Sequence, residues 1–139
     1  MDLSLALKIA YFQALSPEIG ISVYDAFAIP ENVKYPYVII SSIDVSEDLN
    51  SGCKSWRADV TLDIVTGFNS PTGMNRAWEI AGLIEDIINP DSRANLDLES
   101  NGYQVGQTRL TSSIPNQLRT DNYWIYRNIR SYNHIIWNK

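Results

Sequence analysis

Trp56-Arg57-Ala58-Asp59-Val60-Thr61-Leu62-Asp63-Ile64-Val65 is the stretch on which the fold turns. Ala58, Val60, Leu62 and Ile64 alternate with Arg57, Asp59, Thr61 and Asp63, so an extended chain sorts them onto a dry face and a wet face. A single dry face is the mark of an antiparallel sheet covered on one side. Upstream, Tyr37-Val38-Ile39-Ile40-Ser41-Ser42-Ile43-Asp44-Val45 enters from Pro36 as a second strand. Its unbroken apolar start predicts burial on both faces over part of its length. Residues 46–55 join the two strands; they are polar and carry Gly52, which predicts a long β-hairpin with a projecting arm. A short strand around Ile21-Ser22-Val23-Tyr24 precedes both.

Helical spacing flanks this strand cluster. Over residues 3–15, Leu3, Leu7, Ala10 and Ala14 share a face that Ala6 fills, and Pro17 is expected to stop the helix. Downstream, Ser70-Pro71 reads as an N-cap with proline at the first helical position. The helix then runs to Ile88 with Met74, Ala77, Trp78, Ala81, Ile84 and Ile88 as its apolar stripe, and Asn89-Pro90 closes it. Gly82 within it is expected to permit close helix–sheet packing. Leu96-Asp97-Leu98 reads as a strand, Ser100-Asn101-Gly102 as a turn and residues 103–112 as its partner strand. A polar loop over 113–121 leads to a last strand, 123–137, rich in aromatics. The order is therefore α-β-β-β-α-β-β-β. Two helices packed on one face of a mostly antiparallel sheet make an α+β domain, expected to span residues 1–139 as one unit.

Composition narrows the function classes. Of 139 residues, 45% are hydrophobic and 19% charged, ordinary for a globular chain with its own core. Cys53 stands alone, so no internal disulfide is expected. Met1-Asp2-Leu3-Ser4 lacks a basic signal-peptide start, and no run approaches the ~18 apolar residues of a membrane span. The expectation is a soluble chain, cytosolic when made. The net charge of −5 is uneven: residues 1–70 hold nine acids against four bases, while residues 71–139 hold seven of each. Such a chain is poorly suited to nonspecific nucleic-acid binding, although an acidic surface could line a passage through which DNA slides without sticking.

No catalytic, cofactor or metal constellation emerges. His134 is the one histidine and, with Cys53, cannot supply the converging ligands of a metal site. A partly buried or surface histidine is expected. Lys54 beside Cys53 favours the thiolate slightly, but no histidine partner is evident. Asp59 and Asp63 lie four residues apart on one strand face with Thr61 between them, the pattern of a solvated face rather than an acid–base pair. Gly67, Gly73 and Gly82 match no phosphate-binding fingerprint. The sequence therefore points away from an enzyme.

The closing strand carries the strongest functional signal. Arg119, Arg127 and Arg130 interleave with Tyr123, Trp124, Tyr126 and Tyr132, as on a stacking platform for single-stranded nucleic acid. Aromatics are also good strand formers that fill a pleated surface. Trp124, Tyr126, Asn128 and Arg130 share one face, and Tyr123, Ile125, Arg127 and Ile129 the other. Two mixed faces fit a strand lying between its own core and another subunit. Interface candidates on this strand are Trp124, Tyr126, Arg127, Arg130, Tyr132 and Trp137, with the strand expected at the sheet edge. Asp48, Leu49, Asn50 and Lys54 are the candidates on the arm.

With these elements in place, the chain resembles the tail-completion or tail-terminator proteins of long-tailed phages. The resemblance runs over nearly the whole chain. It rests on the opening helix, on Ile21-Ser22-Val23-Tyr24-Asp25 followed by Tyr35-Pro36-Tyr37-Val38-Ile39-Ile40, and on Trp56-Arg57-Ala58-Asp59-Val60-Thr61-Leu62-Asp63-Ile64. The helix after Gly67 and the closing strand led by Thr120-Asp121 complete it. The resemblance implies a virion protein of the tail or neck, assembled in the host cytoplasm as a ring, usually hexameric. That ring caps the tail tube, stops its polymerisation and presents the head–tail joining surface. The implied partners are other copies of the chain, the tail tube protein and a head-closure or connector protein. Double-stranded DNA only passes through the lumen, and neither membrane nor cofactor is involved. A ring of identical subunits needs two different adhesive faces on each. The aromatic strand and the hairpin arm are the expected pair. Two other readings compete: another neck ring, such as a head-closure or adaptor protein, and a single-stranded nucleic-acid-binding module. Binding to tail-tube rather than portal protein separates the first, and a salt series with single-stranded DNA tests the second.

Overall fold

The computed structural model describes residues 1–48, 54–90 and 96–138. In chain order the elements are α1 (Leu3–Ile19), β1 (Ser22–Asp25), β2 (Tyr37–Asp48), β3 (Ser55–Phe68), α2 (Asn75–Ile88), a 3-10 turn (Glu99–Asn101), β4 (Tyr103–Arg119) and β5 (Trp124–Asn138). The five strands form one sheet in the order β1-β2-β3-β5-β4. β1 runs parallel to β2, and every other pairing is antiparallel. Both helices lie on one face, so the α+β class and the mostly antiparallel sheet stand.

The alternation in β3 is what seats the helices. Ala58, Val60, Leu62 and Ile64 are fully buried, and α1 supplies Leu7, Tyr11 and Leu15 against the same core as Ile80, Ile84 and Ile88 of α2. β2 contributes Val38 and Ile40, with Tyr37 and Ile39 on its other face half-buried. A bulge at Ser41 shifts the register, after which Asp44 lies opposite Asp59 on the solvent face. The Asp2 carboxylate caps α1 by accepting from the Ser4 N–H at 2.9 Å.

Several boundaries differ from the sequence expectations. α1 continues through Pro17 to Ile19 and ends at Gly20, whose φ is 67°. A proline this close to the C-terminus disrupts only the final turn, so the helix persists for two more residues. α2 begins at Asn75 rather than at Ser70-Pro71, and Trp78 points outward with 51% of its surface exposed while Ile80 is buried in its place. Gly82 faces solvent, with nothing within 4 Å of where a Cβ would lie, so it mediates no close packing. Leu96-Asp97-Leu98 is not a strand; Leu96 and Leu98 are core plugs leading into the 3-10 turn. The sheet accordingly has five strands rather than six. β4 runs unbroken through the segment expected as a polar loop over 113–121, as far as Arg119. Ser46, Glu47 and Asp48 are paired with Arg57, Trp56 and Ser55, so both ends of the expected arm are hairpin ladder. Leu49, Asn50, Gly52 and Cys53 lie outside the described residues.

The wet face is not wet throughout. Asp63 retains only 4% exposure and Val65 only 3%, because the Tyr35 ring folds across that end of the sheet. Tyr35 stacks on Tyr37 at 5.7 Å between centroids and meets Tyr123 at 5.5 Å. Gly67 makes this possible: a Cβ there would come within 2.5 Å of the Tyr35 ring.

Candidate assembly interface

The closing strand is not an edge. β5 pairs with β3 on one side over Trp124–Trp137 and with β4 on the other over Trp124–Asn138. Its backbone hydrogen-bonding groups are therefore taken within the subunit, and the expected edge-strand pairing through residues 123–137 is corrected. The edge on that side of the sheet is β4.

Most of the closing strand's candidate side chains serve the interior. Tyr132 has no exposed surface, and its hydroxyl donates to Glu85 Oε2 at 2.6 Å. Arg130 donates from Nη2 to the same oxygen at 2.8 Å and from Nε to the Tyr132 hydroxyl oxygen at 2.8 Å. Asn89 Nδ2 completes the cluster at 3.0 Å from Glu85 Oε1. Burial alone would push the Glu85 carboxyl up, but hydrogen bonds from Tyr132, Arg130 and Asn89 outweigh it and hold the group below its ordinary value. Burial, reinforced by Glu85, pushes the Tyr132 hydroxyl up. The cluster pins α2 to β5 and faces the core. Sequence reasoning missed Glu85, although it borders the stripe of Ala81, Ile84 and Ile88 and so had to meet a partner on the sheet.

Tyr126 is buried and ring-packed against Phe68 at 6.2 Å. Arg127 forms an ion pair with Asp63 on the opposite face, its Nε lying 3.1 Å from Oδ1. Hydrogen bonding to Asp63 pushes the Arg127 guanidinium up. Trp124 is half-buried with the Arg119 guanidinium 4.4 Å from its ring centroid. Trp137 is 42% exposed and lies over Gly106, where a Cβ would meet the ring at 2.2 Å. With Tyr126, Arg130 and Tyr132 inside the fold, the strand does not present the continuous stacking platform considered for single-stranded nucleic acid. On the hairpin, Asp48 lies 3.5 Å from Arg57, and Lys54 Nζ is 5.7 Å from the Trp56 ring centroid.

His134 is buried completely, contrary to expectation. Tyr11 Oη lies 2.5 Å from its Nε2 and Thr108 Oγ1 2.8 Å from its Nδ1. Burial pushes the imidazole down to about 4, which the Asp59 carboxylate only partly offsets. It is a neutral core connector between α1, β5 and β4. Among the described residues no group of three or more His, Cys, Asp or Glu side chains is arranged to hold a metal ion. No helix among them is long and apolar enough to cross a membrane.

Exposed apolar side chains occur on α2 at Trp78 and Leu83 and on β5 at Trp137, and they also mark the two ends of the strand order. Along β4, Ile114 and Leu118 are 53% and 51% exposed, and the strand carries Arg109 and Arg119 without an acid. At the other end, β1 covers only Tyr37 to Ile40 of β2. Where that cover stops, a groove of about 360 Å³ opens between α1 and β2, lined by Leu5, Phe27, Ile40 and Ile43 among polar neighbours. Phe27 is 96% exposed beside it. The sequence hid the β4 surface because Ser112, Ser113 and Pro115 resemble a loop. An edge strand accepts proline since its outward side needs no N–H.

No protein-family model and no curated protein matches the sequence. The fold, by contrast, has a solved counterpart. A chain from the virion of a native gene transfer agent particle matches with a TM-score of 0.72 and 17% identity, covering 98% of this chain and 98% of that one. End-to-end coverage of both chains means that the arrangement of helices and sheet is shared over nearly the whole of each.

Proposed function

We propose that this chain is a virion structural protein, a tail terminator or tail-completion protein that caps a phage-type tail tube. The observation that carries the reading is the match of fold over 98% of both chains to a component of a gene transfer agent virion. The sequence resemblance to tail-completion proteins agrees with it independently. In this role the chain forms a closed ring with copies of itself and stops the growth of the tube. It seats the tube on one side and the head-closure or connector protein on the other. Double-stranded DNA crosses the lumen without being held, consistent with a net charge of −5.

The side chains are used as this role requires. Charged groups on β5 are consumed by pairing inside the subunit, while Ile114 and Leu118 on β4 and Phe27 beside the α1–β2 groove leave apolar surface at the sheet's two ends for a neighbour to cover. The test is electron microscopy of particles made without the protein. Tails of uncontrolled length, unattached to filled heads, are the expected result. Tails of normal length on empty or leaking heads would instead place the protein at head closure and overturn the terminator role.

A further inference from the structure

Two exposed apolar features occupy opposite ends of one sheet, and their charges differ in sign. β4 carries Arg109 and Arg119 and no acid; the groove between α1 and β2 is lined by two acids, Asp2 and Asp25, and one base, Lys8. Five strands at about 4.8 Å spacing put the outermost ones roughly 19 Å apart. A second copy of the chain set beside the first brings one end against the other. We propose that the β4 strip of Ile114 and Leu118 in one copy docks on the α1–β2 groove of the next, against Leu5, Phe27 and Ile43. The contact rests on the ring reading above and names its faces.

Three observations favour a second copy as the occupant. Both surfaces leave large apolar side chains in water, with Ile114, Leu118 and Phe27 all more than half exposed, and docking covers both sets together. The charge is complementary, because β4 carries Arg109 and Arg119 whereas the groove is lined by Asp2 and Asp25 with Lys8, a net −1, which orients the approach and disfavours β4 against β4. The two patches are different and sit on opposite ends of the sheet, the condition for a heterologous contact that repeats around an axis. Pro115 removes one N–H from β4, so side chains rather than an extended ladder make the contact. Lys8 in the groove is paired with Asp25 at 2.9 Å, so Asp2 carries the groove's net charge.

The test is site-directed cross-linking in assembled particles. In a Cys53→Ser background, the pair Phe27→Cys and Leu118→Cys is treated with a flexible bismaleimide. A ladder of covalent oligomers extending beyond dimer is expected from the double variant, and none from either single variant. The substitution Leu118→Asp is expected to leave the melting temperature unchanged while reducing incorporation into particles at least tenfold. Absence of the ladder in particles whose micrographs show a ring would overturn this contact and leave the terminator reading standing. Absence of any ring would remove both. Normal incorporation of Leu118→Asp would also overturn the contact.

Discussion

His134 ties the protein's stability to pH. An unfolded imidazole takes up its proton near pH 6.5, whereas burial holds the native one down to about 4. Between these values the unfolded chain binds more protons, so the contribution of this group is present above pH 6.5 and is lost as pH falls toward 4. At about 1.4 kcal/mol per pH unit, the loss over that window is roughly 3 kcal/mol. Urea midpoints at pH 7 and pH 4.5 should fall further for the natural protein than for His134→Gln; equal falls would contradict the assignment. Gly67 and Gly82 make a second contrast. Gly67→Val drives a branched side chain into the Tyr35 ring and is expected to cost about 1–3 kcal/mol. Gly82→Ala adds a methyl to an open helix surface and is expected to gain up to about 1 kcal/mol. Thermal melts of the two variants check the opposite signs.

At the scale of elements, α2 is held by more than its apolar stripe. Glu85 accepts from Tyr132 and Arg130 on β5, so Glu85→Ala leaves a largely buried guanidinium without its counter-charge. The expected loss is about 2–3 kcal/mol, with Glu85→Gln intermediate, read from denaturant midpoints. How far such elements could be read from sequence depended on their surroundings. β3 was legible because one of its faces is uniformly buried and strict alternation follows from that. β4 was cut short at Ser112, Ser113 and Pro115, since from Ser113 onward this edge strand is exposed on both faces and carries no apolar period. Leu96 and Leu98 imitated a strand although they merely plug the core. The aromatic content of β5 was visible, but its place between β3 and β4 is a matter of topology that no local pattern encodes. The candidate interface consequently moved from β5 to β4, while the groove beside β2 had no sequence signal because α1, β1 and β2 build it jointly.

For the whole molecule, the proposed role draws on the fold shared end to end with a gene transfer agent virion component and on the unlike surfaces at the sheet's two ends. A subunit with two complementary and different patches propagates contacts in one rotational sense, and a ring closes when the rotation per step divides the circle. Strict closure would fix the number of copies in the proposed ring. The proposed role does not require free subunits to oligomerise in dilute solution, because a tube end would act as a template that raises their effective concentration. The most direct test is a cryo-electron microscopy reconstruction of the intact particle at the head end of its tail. The account expects a closed ring of about six copies of this chain seated on the last tube ring, with β4 of each against the α1–β2 groove of the next. Density showing no closed ring of this chain at that position would contradict it.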